Sequence, residues 1–101
     1  MAYVTVHAAK RTKERVGLPK RATAKNAEKA LNEGIRHKET SGSLHRYIEA
    51  LYWKNQTANN IRIYCGNVYI FHDDILITIL SLPQKYRKTA ERLWKELRRD
   101  D

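Results

Sequence analysis

The sequence predicts an α+β domain in which N-terminal helices pack on a three- to four-stranded antiparallel meander and a C-terminal helix closes the fold. Three observations carry this. Segments rich in Ala, Lys, Arg and Glu with helical spacing fill the first half of the chain, period-two apolar runs joined by turn residues occupy residues 61–82, and a second helical stripe follows Pro83. With 101 residues, 42% of them hydrophobic, the chain has material for one core, so residues 1–101 read as a single domain.

Each element has its own local reason. Tyr3-Val4-Thr5-Val6 alternates β-branched and aromatic residues and reads as a short first strand. His7 to Val16 is composed mostly of good helix formers and is stopped by Gly17-Leu18-Pro19. A second helix spans about Ala22 to Glu33, with Ala24, Ala27, Ala30 and Leu31 as a thin apolar stripe and Gly34 as a left-handed terminator. After the polar stretch Arg36 to Gly42, Ser43 is placed to cap a third helix whose Leu44, Tyr47, Ile48 and Leu51 recur at helical spacing, ending near Lys54. Ile61, Ile63 and Cys65 then alternate with Arg62 and Tyr64, Gly66-Asn67 reads as a two-residue turn, and Val68 to Phe71 returns as the second strand of a hairpin. His72-Asp73-Asp74 forms the next turn. Ile75 to Leu82 is apolar on both faces apart from Thr78 and Ser81, the pattern of a strand covered on both sides. Beyond Pro83, Tyr86, Ala90, Leu93, Trp94 and Leu97 mark the buried stripe of the final helix.

Charge narrows the function. Twenty Lys and Arg against eleven Asp and Glu give a formal charge of +9, which favours approach to a polyanion: RNA first, or an acidic protein surface. Cys65 is the only cysteine, so no intrachain disulfide forms, and no secretory leader or span of membrane length is evident, which leads us to expect a cytoplasmic protein with no membrane partner. The chain has no glycine-rich phosphate loop, paired-cysteine motif, nucleophile elbow or HExxH motif, which argues against nucleotide hydrolysis, structural zinc and serine hydrolase chemistry; no cofactor and no metal are expected.

What remains is basic, aromatic and histidine chemistry. His7, Arg11 and Arg15 are spaced four apart and fall in one line along a helix, with Lys10 and Glu14 beside them. Such a face suits a phosphodiester held between guanidinium forks while an imidazole moves a proton. Cleavage of RNA through its own 2′-hydroxyl needs a base, an acid and positive charge near the phosphorane, and no metal.

The opening "VHAAKRTKERVGL" resembles the start of small prophage and toxin proteins of the superfamily named for barnase, EndoU, colicins and RelE, with its His-Ala followed by two arginines four apart. "RIYCGNVYIFHDDILITILSLP" is similar to that superfamily's terminal meander, whose last strand carries an Ile-Thr-Val-like triplet. The resemblance implies a metal-independent ribonuclease, often paired with a cognate protein inhibitor, and carries His7, Arg11, Arg15 and Thr78 onto the active face. Ile79 stands where valine is common in that triplet, and the helical tail from Gln84 to Asp101 lies beyond the shared pattern.

Further binding residues follow from surface chemistry. Arg62 and Tyr64 share the more polar face of the hairpin and, with Lys10 and Arg46, are candidates to hold nucleic acid, the ring by stacking on a base and the cations by pairing with phosphates. His37, His45 and His72 are each candidates for a second proton-transfer group; His72 beside Asp73 and Asp74 reads first as turn chemistry. Lys85, Arg87, Lys88, Arg92, Lys95, Arg98 and Arg99 make the final helix a basic face, and its apolar stripe is free to pack on its own chain or on a second copy. Two expectations therefore stand: a small ribonuclease of toxin or prophage type, or a non-catalytic, phage-encoded inhibitor or regulator, anti-CRISPR-like, that binds nucleic acid or a host nucleic-acid-binding enzyme.

Overall fold

A computed structural model describes residues 2–97. Tyr3–Val4 forms β1, Val6–Val16 α1, Lys20–Glu33 α2, Ile35–Arg36 β2, Gly42–Lys54 α3, Asn60–Tyr64 β3, Asn67–His72 β4, Ile75–Ser81 β5 and Gln84–Leu97 α4, with a 3₁₀ turn at His37–Glu39. The α+β class and the closing helix agree with the sequence reading. The sheet differs from it: five strands in the order β1-β5-β4-β3-β2, mixed rather than antiparallel, because β1 runs parallel to β5 through Tyr3 opposite Ile75 and Val4 opposite Leu76. At the other edge β2 pairs antiparallel with β3, Ile35 opposite Ile63 and Arg36 opposite Arg62. Among the described residues no helix is long and apolar enough to cross a membrane.

The period of two in the central strands decides the layers. Ile61, Ile63, Val68 and Ile70 point to one side, where Leu44, Ile48 and Leu51 of α3 and Ala90 of α4 cover them. Tyr64, Tyr69, Phe71, Leu76 and Ile79 point to the other, under Ala8 of α1 and Ala27 and Ala30 of α2. The small alanines let α1 and α2 lie close to the sheet, and the aromatic rings fill the space this leaves. Helices therefore cover both faces, and α1 and α3 lie on opposite sides of the sheet.

Local expectations shift in instructive ways. The first strand stops at Val4 because Thr5 caps α1, its Oγ1 accepting from the Ala8 N–H at 3.0 Å, so Val6 belongs to the helix. The third helix starts at Gly42 with Ser41, not Ser43, in the cap position. Gly34 is not left-handed: φ is −61°, and a Cβ there would sit 2.4 Å from the Ala30 carbonyl oxygen and 3.0 Å from Cβ of Arg62. Glycine is required at Gly34 because a side chain would run into the Ala30 carbonyl of α2's own last turn, with Arg62 of β3 close beside it. The hairpin turn is Cys65-Gly66, with φ of 48° and 78°, rather than Gly66-Asn67. That register sets Ile61 opposite Ile70; a turn at Gly66-Asn67 would slide it opposite His72 and leave the isoleucine facing a polar partner. A bulge between Ile70 and Phe71 leaves Ile77 as the extra residue of β5.

Candidate functional site

The histidine–arginine row lies along α1. Ala8, Ala9 and Thr12 are the buried positions of this helix, and Thr12 satisfies its own hydroxyl by donating to the Ala8 carbonyl at 2.8 Å. The row that begins one residue earlier, His7, Arg11 and Arg15, therefore borders the buried line; His7 and Arg15 are exposed, and Arg11 is half-buried. Residues four apart rise about 6 Å along the axis, so a phosphate held at Arg11 lies within side-chain reach of both His7 and Arg15. Lys10 is exposed on the same helix. Among the described residues no ion pair engages Arg11 or Arg15, so their charge is uncompensated by a carboxylate.

Thr78 meets this row. β1 pairs only with Ile75 and Leu76, so beyond Leu76 β5 has no strand neighbour on that side, and the Arg15 side chain reaches it: Arg15 Nη1 donates to Thr78 Oγ1 at 3.1 Å across 63 positions of sequence. Thr78 is only 3% exposed, so its hydroxyl meets the guanidinium rather than solvent. One of five guanidinium N–H groups is used in this bond, and the other four can donate to further acceptors.

A second positive site forms where β2 meets β3. Arg36 and Arg62 are directly opposite each other, an arrangement unfavourable for two cations unless an anion joins them. Glu39 supplies one: its Oε1 accepts the Arg36 backbone N–H at 2.9 Å and lies 3.4 Å from Arg36 Nε. Arg62 Nε donates to Asn60 Oδ1 at 2.7 Å, and burial, then the neighbouring Arg36, lower its pKa below the usual arginine value. Leu31, Asn32, Gly34, Arg36, Glu39 and Arg62 line a depression of about 400 Å³ with two guanidinium groups and one carboxylate.

Tyr64 shares the Arg62 face, as expected, but not the surface. It is 8% exposed and packs edge-on against Tyr69 and Trp94, with centroids 6.3 and 5.5 Å away. Its ring is core, because α2 covers that face of the hairpin, and the expected stacking on a base is replaced by stacking within the protein. Arg46 is exposed on α3, across the sheet from the α1 row. The basic face of α4 is described as far as Leu97; Arg98 and Arg99 lie outside the described residues.

The other histidines are engaged elsewhere. His72 Nδ1 donates to the Thr57 carbonyl at 2.6 Å, and Asn59 and Asp73 exchange two hydrogen bonds across the adjoining turn, so turn chemistry accounts for this segment. His37 and His45 stack with centroids 4.1 Å apart, both against Glu49, on the side of the sheet opposite α1. Sequence reasoning named both histidines and missed Glu49 and Thr40; the i, i+4 spacing of His45 and Glu49 was the available signal. Comparison with protein-family models, curated proteins and solved structures gives no match.

Proposed function

We propose that this protein is a small, basic, metal-independent endoribonuclease of toxin or prophage type that cuts RNA by acid/base chemistry along the α1 row. The observation that carries the reading is the Arg15–Thr78 hydrogen bond, which ties a cation of the row to a buried strand and so fixes a phosphate-binding fork before substrate arrives. In this reading Arg11 and the remaining N–H groups of Arg15 hold the phosphate. The 2′-oxygen attacks phosphorus, the bond to the 5′-oxygen breaks, and a 2′,3′-cyclic phosphate and a free 5′-hydroxyl result; His7 makes one of the two proton transfers, taking the proton from the 2′-hydroxyl or giving one to the 5′-oxygen, and water makes the other. Thr78 acts by positioning Arg15. Lys10 and Arg62 add affinity for the rest of the strand without reading its sequence, and Arg46, on the other side of the sheet, does so for a strand that passes round the edge.

The pair Arg36 and Arg62 favours a second reading. A positive depression on a different pair of elements suits a non-catalytic protein that binds nucleic acid, or an acidic site in a host enzyme, over a wide surface. Inducible expression separates the two. A ribonuclease without its cognate inhibitor arrests the host, and His7→Ala restores growth. Normal growth at high levels of folded wild-type protein overturns the enzyme and leaves the binding protein.

A further inference from the structure

Two imidazoles and a carboxylate converge where the 3₁₀ turn meets α3. His37 Nε2 and His45 Nε2 lie 3.4 and 3.2 Å from the same Glu49 Oε1, and one ligand-type atom from each of the three residues falls within 4.8 Å of the others. Thr40 selects the tautomer of His45. Its hydroxyl donates to the His37 carbonyl at 2.6 Å, so its oxygen is left to accept, and His45 Nδ1 at 3.1 Å carries the proton. In a neutral ring that places the bare lone pair of His45 Nε2 against a carboxylate oxygen. His37 Nε2, pointing to the same oxygen, is buried without a hydrogen-bond partner among the described residues.

Both rings thus present Nε2 to one carboxylate oxygen, a convergence of three ligand-type atoms from two elements. The rings lie 20° from parallel, so one of them turns out of the stack about its side-chain torsions when all three donors are aimed at a single divalent cation. The distances fit: ligands about 2.0–2.1 Å from a tetrahedral zinc lie about 3.3 Å from one another, the separation both Nε2 atoms keep from Oε1.

We propose that His37, His45 and Glu49 bind a zinc-class divalent cation, with Thr40 as the outer group that orients His45. Two nitrogens and one oxygen are a donor set suited to zinc, and three protein ligands leave a fourth position open. His37 and Glu49 border a shallow depression of about 540 Å³ lined also by Tyr52, Trp53 and Gln56, which leaves room for water or an added ligand beside them. The site lies across the sheet from α1 and stands independently of the ribonuclease reading.

The test uses the full, untagged chain stripped with chelator and titrated with zinc by calorimetry and with cobalt by visible absorption. The expected result is one ion per chain, the absorption bands of tetrahedral cobalt, and a raised melting temperature. His45→Ala and Glu49→Gln lose affinity by about 100-fold or more and Thr40→Val by about 10- to 100-fold, while His72→Ala binds as the wild type does. Circular dichroism establishes that each variant is folded. Absence of saturable binding at micromolar zinc, or binding unchanged in folded His45→Ala and Glu49→Gln, overturns the site.

Discussion

Breaking the contact between Arg15 and Thr78 has a calculable consequence. The bond is 3.1 Å long, within the normal range, and its acceptor is buried while the rest of the arginine reaches solvent. Arg15→Ala leaves a buried hydroxyl without this donor, at a cost of about 1–2 kcal/mol. Thr78→Val keeps the shape, removes the acceptor and lets the guanidinium rehydrate, at a cost of about 0.5–1 kcal/mol. If the two groups act through each other, the double variant costs less than the sum by about 1 kcal/mol, equivalent to about 4–8 °C in Tm for a domain of this size. Urea unfolding of the wild type, both single variants and the double variant, followed by circular dichroism, measures the coupling. Additivity within about 0.3 kcal/mol refutes the contact, and with it the idea that β5 fixes the α1 row.

Three further outcomes follow. Burial pushes the Tyr69 phenol up to about 12, and Tyr47 and Tyr64 shift upward for the same reason; their stabilising effect is fully present below pH of about 10, the unfolded value, and is lost as pH rises from about 10 to about 12. Unfolding measured across that range should fall by about 3 kcal/mol for Tyr69 alone, and a flat profile contradicts its burial. Cys65 occupies a left-handed position with φ of 48°, so Cys65→Asn, a residue better suited to that turn, raises stability by about 0.5–1 kcal/mol in chemical denaturation; a loss instead means the thiol stabilises the turn. Arg62→Gln weakens RNA binding at all sequences alike and lowers the slope of log affinity against log salt by about one; an unchanged slope removes Arg62 from the binding surface.

The elements legible in the sequence are those whose pattern is long or sharply ended. α2, α3 and α4 each repeat an apolar position over several turns, and the isoleucines of β3 to β5 alternate with clear turns between them. The two edge strands are only two residues long, and what makes them strands is their neighbour: β1 gains its partner from residues 75 and 76, and β2 gains its from residues 62 and 63. No local pattern encodes a pairing across such separation, which is why a parallel edge was read as part of an antiparallel meander. Gly34 is legible as a helix end but not in its conformation: what demands glycine is the Ala30 carbonyl of its own helix, with Arg62 of β3 adding a tertiary contact. In the candidate site the four-residue spacing marked His7, Arg11 and Arg15, whereas Thr78 entered through resemblance alone. The partnership of His37 with Glu49 depends on how the 3₁₀ turn folds back on α3 and has no signature in spacing.

The central proposal is cleavage of RNA by the α1 row, and one measurement meets it directly: incubation of the purified protein with total RNA and with tRNA in EDTA, beside His7→Ala, with the fragment ends identified. Fragments that end in 2′,3′-cyclic phosphate and 5′-hydroxyl, and that disappear with His7→Ala, are the predicted result. RNA that stays intact while its gel mobility is retarded contradicts the enzyme; fragments that persist with His7→Ala contradict the role given to that residue.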